Sequence, residues 1–424
     1  MKKIVGIIAA AALATSAFAE ISIGSWSRGA FVPFAYDGDT VRSVEGANWD
    51  GTNSTAYGVR TGLTFSGSTE NAGFNFQVFG SASDEGAKIS VGDNANLWVK
   101  PIDMFTVKIG KIDNNWGRQD VCFGMWDHTY RFGGALNVGE GVAAWRDHKS
   151  TGVELTLQPI EGLVIDYQAG FSDSYKGYST DTEYEFAKFA IENSTTMSDD
   201  EKAEALEEAK KEYNASKGGN DHAYSVLWHN ADFMIGYKGD FGFIRAIVAP
   251  QAPYTNKDGD STEWATIGLA ADLTVVENLW LSIGTTIPTA FCAQQLYNIP
   301  VGLGASYKLD PLTLHAVAKL SFIGKADGDN EKFEDVGFYA GVGADFAVND
   351  MFDVIADFRF ADKKYVGGVD GKDPAFGVYA GLAQKLTNAT FDFGVELVKQ
   401  GGASWDGDVD HMTFAVPLMI TTSF

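Results

Sequence analysis

The segment from residue 112 to residue 149 concentrates the side chains that could do chemistry. It combines carboxylates, guanidinium groups and aromatic rings within one connection between two alternating segments. Acids and arginines that face each other across a narrow passage screen solutes by charge and dipole, and aromatic rings offer a surface for sugar rings. The candidate residues are Trp116, Arg118, Asp120, Trp126, Asp127, Tyr130, Arg131, Glu140, Arg146 and Asp147.

A second set of ionisable side chains recurs at every other position of segments that are otherwise apolar. Residues at alternate positions of a β-strand share one face, so these groups form the polar face of a sheet. So many ionisable groups suit a surface that lines water and not a dry core. The set comprises Arg60, Lys108, Glu154, Asp166, Asp272, Lys308, His315, Lys319, Asp345, Asp353, Asp357, Arg359, Asp392 and Glu396.

Alternating strands must position these side chains, and the clearest of them ends the chain. In residues 411–424 the large apolar residues Met412, Phe414, Val416, Leu418, Ile420 and Phe424 fall on one face. The same alternation returns in pairs of segments joined by short turns, such as Asp310-Pro311 and Asn349-Asp350. We count about eighteen strands, including one from Ile21 to about Phe34; sixteen is the alternative if the first pair or the region 86–100 is misread.

The lengths of the connections alternate as well. Every second connection is a turn of about two to four residues, and most of the others are long, acidic and rich in glycine. The long ones are 36–55, 112–149, 173–222, 251–262, 325–335, 362–374 and 400–410. This asymmetry is typical of a transmembrane antiparallel β-barrel, with aromatic residues near its turn ends. Those are Phe105, Tyr237, Tyr307, Phe346, Phe352, Phe391 and Phe424, and a secreted sandwich or solenoid is the alternative.

The start of the chain and its composition fix the compartment. Lys2 and Lys3 precede an apolar run and the small-residue motif Ala17-Phe18-Ala19, so residues 1–19 are predicted to be a cleaved signal peptide. Removing those two lysines changes the formal net charge from −24 to −26, which disfavours nucleic-acid binding. No later run of eighteen apolar residues occurs, which excludes a helical membrane protein.

Over residues 20–424, predicted to be a single domain, the chain resembles the bacterial outer-membrane porins. The resemblance rests on the signal peptide, the alternating strands, the asymmetric loops and the terminal Phe424. It implies a diffusion channel for small hydrophilic solutes in the outer membrane of a diderm bacterium, and a homotrimer is the assembly that it suggests. It also implies that residues 112–149 fold inward as a constriction loop; a lid over the barrel is the alternative. The insertion machinery would recognise the last strand.

Three further features leave alternatives open. Residues 173–222 contain a capping-box start at Ser198 and a helix-forming run, which predicts a short external helix. Four Asp-Gly-Asp sequences in the long loops could hold Ca²⁺, but their spacing is not that of an EF-hand, so we predict neither metal nor cofactor. Cys122 and Cys292 are either bridged across the mouth of the barrel or buried as unpaired thiols.

Three functional classes fit this architecture to different degrees. A pore with weak cation preference is favoured by the mixed-charge inner face and the acid-rich wall. An adhesin or structural surface barrel, which would use the long acidic loops, is the alternative. No spacing of Ser, His and carboxylate residues nominates an enzyme, so the sequence predicts none.

Overall fold

The computed structural model of the chain describes most of the strands and part of the connections. The described residues are 20–36, 38–45, 59–83, 86–113, 116–117, 119, 136, 151–170, 188–189, 191–192, 194, 197–198, 201–203, 205–207, 209–210, 228–255, 261–290, 296–327, 330–367, 373–399 and 412–424.

The described regular structure comprises nineteen strands, one short helix that is described from end to end, and helical residues within 188–192, 201–210 and 228–229. The strands are β1 (Glu20–Tyr36), β2 (Val41–Glu45), β3 (Val59–Ser68), β4 (Ala72–Ser83), β5 (Gly86–Ile102), β6 (Phe105–Lys111), β7 (Thr151–Leu157), β8 (Leu163–Gly170), β9 (Ala231–Gly239), β10 (Gly242–Thr255), β11 (Ser261–Val276), β12 (Leu279–Pro288), β13 (Leu296–Lys308), β14 (Leu312–Asp327), β15 (Asn330–Asn349), β16 (Phe352–Ala361), β17 (Ala375–Leu386), β18 (Ala389–Lys399) and β19 (Met412–Ser423). The helix α1 is Lys363–Gly367.

The strands close into a barrel. From β3 to β19 each strand pairs antiparallel with the next, and β1 pairs with both β3 and β19. β2 pairs with the part of β1 from Phe31 to Tyr36 and lies outside the circuit. Eighteen of the nineteen strands therefore form the closed circuit. At the seam Phe424 and Ser25 exchange two backbone hydrogen bonds of 2.8 and 2.9 Å. The predicted antiparallel barrel of eighteen strands is confirmed.

The two faces of the wall differ in the way that the sequence predicts. On β16, Val354 and Phe358 are exposed on the outside, whereas Asp357 and Arg359 on the inside are buried. The same alternation of exposed apolar and covered polar residues recurs on β18 and β19. A closed sheet has one inside, so the period of two sends every second side chain to the interior.

Short turns lie at one end of the barrel, which we call the turn end, and the long connections lie at the other, the loop end. Two of the turns place Asn278 and Asn388 at φ values of 61° and 59°. Asn tolerates this left-handed conformation better than other residues with a Cβ, which explains its position between β11 and β12 and between β17 and β18.

Several connections that the sequence marks as long loops are shorter in the structure. The ladder between β14 and β15 continues to Asp327↔Asn330, so the predicted loop 325–335 is wrong and only residues 328–329 separate these strands. Likewise β10 and β11 extend into the predicted loop 251–262, and β2 occupies part of 36–55. Backbone pairing needs no apolar pattern, so a hairpin continues beyond the point where side-chain alternation ends.

Helical structure is confined to the connections. Described residues between 201 and 210 are helical, and Ser198 caps them: its backbone N–H and hydroxyl donate to Glu201 Oε2 at 2.8 and 2.9 Å. In α1, Tyr365 packs on Tyr339, and burial raises the pKa of the Tyr365 phenol. Among the described residues no helix is long and apolar enough to cross a membrane.

Candidate functional site

The connection from β6 to β7 reaches the inner wall far from the strands it joins. Gln119 Nε2 donates a hydrogen bond of 3.0 Å to Ser282 Oγ on β12, and Arg245 Nε on β10 donates to Gly117 O at 3.4 Å. The Trp116 ring meets the Phe243 ring edge-on at 6.3 Å. β12 lies six strands beyond β6 in the circuit, so this part of the connection runs through the interior.

A second anchor lies still further around the barrel. Leu136 O accepts hydrogen bonds of 3.1 Å from Tyr339 Oη on β15 and from an Arg359 Nη on β16. Leu136 is fully buried, in an apolar cluster with Val317, Ile355 and Tyr379, among others. β16 is eight strands from β6 by the shorter way round a circuit of eighteen, so Leu136 lies against the wall almost opposite β6.

Glycine makes room for this docking. A Cβ atom on Gly284 would lie 2.2 Å from Gln119 Oε1, so the side chain of Gln119 occupies the space that any other residue would fill. Gly284 neighbours Ser282 on the inner face of β12, and the hydroxyl of Ser282 bridges Gln119 and Asp272. Ser282 and Gly284, at alternate positions of β12, therefore form the surface on which Gln119 of the connection docks.

Most of the predicted constriction residues cannot be placed. Of that set, Trp116 is described, and it packs against Phe243. The remaining predicted constriction residues lie outside the described residues: Arg118, Asp120, Trp126, Asp127, Tyr130, Arg131, Glu140, Arg146 and Asp147. Cys122 and Cys292, and the predicted signal peptide, also lie outside them.

The predicted wall residues face the interior, and most of them are buried. Nine of the predicted wall residues are buried: Glu154, Asp166, His315, Lys319, Asp353, Asp357, Arg359, Asp392 and Glu396. Arg60 and Lys108 are half-buried. Apolar clusters that include Leu136 or are packed by Trp116 of the connection lie beside parts of this wall, and the water-filled lining stays a prediction.

Several of the buried charged groups on this wall are paired, which offsets the cost of their desolvation. Lys108 Nζ lies 2.5 Å from Glu154 Oε1, and Arg245 Nη1 lies 2.8 Å from Asp272 Oδ2. Three more pairs follow the same rule: Arg359–Asp357 at 2.9 Å, Lys385–Asp353 at 2.6 Å and His315–Asp345 at 3.1 Å. Opposite charges thus alternate around the inner face, and each pair joins neighbouring strands or neighbouring positions of one strand.

A cluster of arginines and aromatic rings lines β1, β3 and β4. The Arg28 guanidinium carbon lies 5.2 Å from the Trp26 ring centre, and that of Arg60 lies 4.3 Å from the Phe79 ring centre. Trp26 and Phe79 meet edge-on at 5.6 Å above Gly62, whose missing side chain accommodates the indole. The sequence prediction included Arg60 but not Trp26, Arg28 or Phe79, although Trp26 and Arg28 stand at alternate positions of one strand.

A hydrogen-bonded chain of Ser, His and Asp crosses β13, β14 and β15. Ser306 Oγ lies 2.8 Å from His315 Nδ1, and His315 Nε2 lies 3.1 Å from Asp345 Oδ2. The sequence analysis did not find this set, because the pairing register of three consecutive strands brings the residues together. The backbone N–H groups around Ser306 are used in the strand pairing with β12 and β14. The three hydrogen-bonded side chains therefore orient a buried histidine and satisfy its two ring nitrogens.

Comparisons with known proteins find matches only among solved structures, and these matches are of low similarity. No protein-family model matches the chain, and no curated protein matches it. Among solved structures, the anion-selective porin from Comamonas acidovorans is 12% identical, with 96% of this chain and 100% of that chain covered and a TM-score of 0.44. Salmonella typhi OmpF in complex with daunomycin is 10% identical, with 95% and 97% covered and a TM-score of 0.43. The fold described above rests on the chain's own strand pairing.

Proposed function

We propose that this chain is an outer-membrane porin: a water-filled channel through which small hydrophilic solutes diffuse, with weak preference for cations. The observation that carries the proposal is the closed circuit of strands with an apolar outer face, a charged inner face and a connection that crosses the interior. A charged interior enclosed by an apolar exterior suits a protein that holds water inside a lipid bilayer.

The outer surface supports placement in lipid. Exposed apolar side chains such as Ile235, Leu269, Val342 and Phe358 cover the outward face. Aromatic residues stand next to the short turns, and among them Tyr237, Tyr307, Phe346 and Phe424 are exposed. Bands of aromatic residues mark the interface between hydrocarbon and water, so the turn end would lie at one membrane surface and the loop end beyond the other.

The crossing connection supports a constriction. Its described residues are held at β10, β12, β15 and β16, and the arginine and aromatic cluster of β1, β3 and β4 lies elsewhere on the wall. We propose that the passage runs between the connection and this cluster. Arg60 and its neighbours would then meet passing solutes, and the aromatic rings would offer a surface for sugars.

The experiment is single-channel recording of the refolded protein in a planar bilayer. For wild-type protein we expect steady conductance steps. In a salt gradient, we expect a reversal potential that indicates cation preference. Replacing Arg60 by Gln should increase the preference for cations, because a positive charge leaves the passage. Lys210→Gln removes the same charge from the helix at the loop end and is the matched control, with little change expected.

Two outcomes would contradict the proposal. Absence of steady channels from correctly folded protein would favour a structural or adhesive surface barrel. A reversal potential that indicates chloride preference would overturn the cation preference alone and leave the channel in place.

Assembly and targeting are part of the same proposal. We infer a homotrimer in the outer membrane, and recognition of β19 and its terminal Phe424 by the insertion machinery. Phe424 is 75% exposed at the seam of the barrel, which leaves its ring accessible. Mass measurement of the detergent-solubilised protein tests the trimer, and loss of membrane insertion after deletion of Phe424 tests the recognition.

A further inference from the structure

Three carboxylates from neighbouring strands gather on the inner face of β7, β8 and β9. Glu154, Asp166 and Asp232 are each buried. Gln168 lies between two of them, because it is the cross-strand partner of Glu154 on β7 and of Asp232 on β9. Side chains directly opposite each other on one face of a sheet are in contact range, so the amide of Gln168 belongs to this acidic group.

The amide of Gln168 is buried without a partner. Gln168 has 0% exposure, and neither its Oε1 nor its Nε2 makes a hydrogen bond within the part of the chain that the structure describes. Glu154 Oε2 is also buried without a partner, although Oε1 of the same carboxylate pairs with Lys108. Buried polar groups in native proteins are satisfied with few exceptions, so two unsatisfied side chains in contact indicate that something outside the chain completes them.

The surroundings make uncompensated negative charge costly. Val164, Met234 and Ile247 form a buried apolar cluster next to Asp166, and Trp116 and Phe243 pack against it. Two cations near the group, among the described residues, are engaged elsewhere or with one carboxylate: Lys108 binds Glu154, and Arg245 binds Asp272 and Gly117 O. Thr156 donates a hydrogen bond of 2.6 Å to Asp166 but brings no charge. Carboxylates beside an apolar cluster require counter-charge.

We propose that this group binds one hard metal cation that keeps part of its water shell. Glu154 Oε2, Gln168 Oε1 and the Asp232 carboxylate supply oxygen ligands, which suit Ca²⁺, Mg²⁺ and the alkali cations. No group of three His, Cys, Asp or Glu side chains in the described part of the chain converges closely enough to hold a metal alone. Water therefore completes the shell, and one such water accepts a hydrogen bond from Gln168 Nε2. The site stands apart from the proposed channel function.

The test is cation-dependent thermal unfolding of the folded, detergent-solubilised protein. Chelator-treated protein is titrated with CaCl₂, and in separate arms with MgCl₂, NaCl and KCl at constant ionic strength. Gln168→Met keeps the size of the side chain and removes both polar atoms, and Asp232→Asn is the second variant. Gln251→Met is the matched control, because Gln251 also faces the interior but its Nε2 donates to Ala249 O at 3.0 Å.

In wild-type protein and in Gln251→Met, the unfolding temperature should rise with the logarithm of the concentration of one of these cations. That rise should be lost in Gln168→Met and reduced in Asp232→Asn. The arm that responds identifies whether the cation is divalent or monovalent. An equal rise in Gln168→Met and in the control would overturn the proposal, since it would place the cation elsewhere, for example in the acidic loops. No rise in any arm, with Gln168→Met as stable as wild type, would also overturn it and leave ordered water as the partner.

Bound Tb³⁺ gives a second readout if a variant folds poorly. Trp116 lies against the neighbouring cluster and can sensitise Tb³⁺ luminescence at this position. Ca²⁺-displaceable luminescence that is present in wild type and smaller in Gln168→Met supports the site, and equal luminescence in both rejects it.

Discussion

At the scale of single residues, one backbone carbonyl determines how the crossing connection is held. Leu136 O receives hydrogen bonds from both Tyr339 and Arg359, but the two donors differ in what else they satisfy. Arg359 also binds the buried carboxylate of Asp357 through its Nε and Nη2, whereas Tyr339 donates to Leu136 O and packs its ring on Tyr365. Arg359 therefore both holds the connection at Leu136 O and is the counter-ion of the Asp357 carboxylate on the wall.

We expect Arg359→Met to destabilise the protein much more than Tyr339→Phe. The first leaves a buried carboxylate without its cation and should cost about 3–5 kcal/mol. The second removes one of two hydrogen bonds to the same carbonyl and should cost about 0.5–1.5 kcal/mol. Equilibrium unfolding in detergent measures both, and Arg359→Met with Asp357→Asn should recover part of the loss. Equal costs for the two single variants would contradict this assignment.

Gly284 tests the other anchor. Gly284→Ala places a Cβ where Gln119 now lies, so the buried amide of Gln119 must leave Ser282. Losing that partner should weaken docking of the connection by about 1–3 kcal/mol. We expect faster hydrogen exchange in the connection and a broader distribution of single-channel conductance, and both can be measured directly. Gly80→Ala is the control, because nothing lies within 4 Å of its added Cβ. Unchanged exchange in Gly284→Ala would show that the connection is held by its other contacts.

At the scale of elements, the helix at residues 201–210 depends on its cap. Hydrogen bonds from Ser198 lower the pKa of the Glu201 carboxylate. A lowered pKa in the folded helix stabilises it above the unfolded pKa, and this contribution is lost as the pH falls through the folded pKa. We therefore expect Ser198→Ala to reduce amide protection at residues 201–207, and acid to do the same in wild type.

Hydrogen exchange at several pH values measures both effects on this helix. Glu207→Gln is the control, since Glu207 lies further along the same helix, away from the cap. Protection that survives Ser198→Ala at neutral pH would mean that the helix is held by packing and not by its cap.

The strands, unlike this helix, do not end where the local sequence stops favouring them. Their backbone pairing continues past the residues with alternating apolar side chains. β14 and β15 stay paired through Lys325↔Lys332 to Asp327↔Asn330, where the sequence is charged and glycine-rich. Each added pair satisfies backbone groups of both strands once the hairpin has formed. Strand ends therefore follow the partner strand and not the local sequence.

At the scale of the whole molecule, the crossing connection brings distant parts of the circuit together. Gln119 contacts β12 three positions before Cys122, and β12 ends four positions before Cys292. A bridge between these cysteines would close a loop of about 170 residues and stabilise the fold by constraining the unfolded chain. Its Cα atoms would have to approach within about 7 Å.

We expect two free thiols in each chain, with both cysteines packed as small apolar residues. Maleimide labelling of denatured, unreduced protein measures this directly, and the reduced protein is the control for complete labelling. Absence of labelling without dimer formation would establish the intramolecular bridge and would pin the connection to the wall near β12.

The sequence alone determined the closed antiparallel barrel, its eighteen-strand circuit and the face on which each wall residue lies. Alternation with a period of two and turn chemistry are local properties, so they can be read without knowing the partner strand. The inward course of the connection after β6 also agrees with its aromatic content. Arg60, Lys108, Glu154 and Asp357 stand on the interior, as the alternation of their strands indicates.

Only the tertiary structure decided which of those residues meet water and which partners they have. The pairing of Arg359 with Leu136 O depends on elements far apart in sequence. The burial of Asp392 and Glu396 depends on the closed interior, and the chain from Ser306 through His315 to Asp345 depends on the register of three consecutive strands. In the sequence, nothing distinguishes Gln168 from other polar residues. The strand pairing shows that Glu154 on β7 and Asp232 on β9 lie on either side of it and that its buried amide is unsatisfied. Burial and pairing depend on closure of the barrel and docking of the connection, which no local pattern encodes.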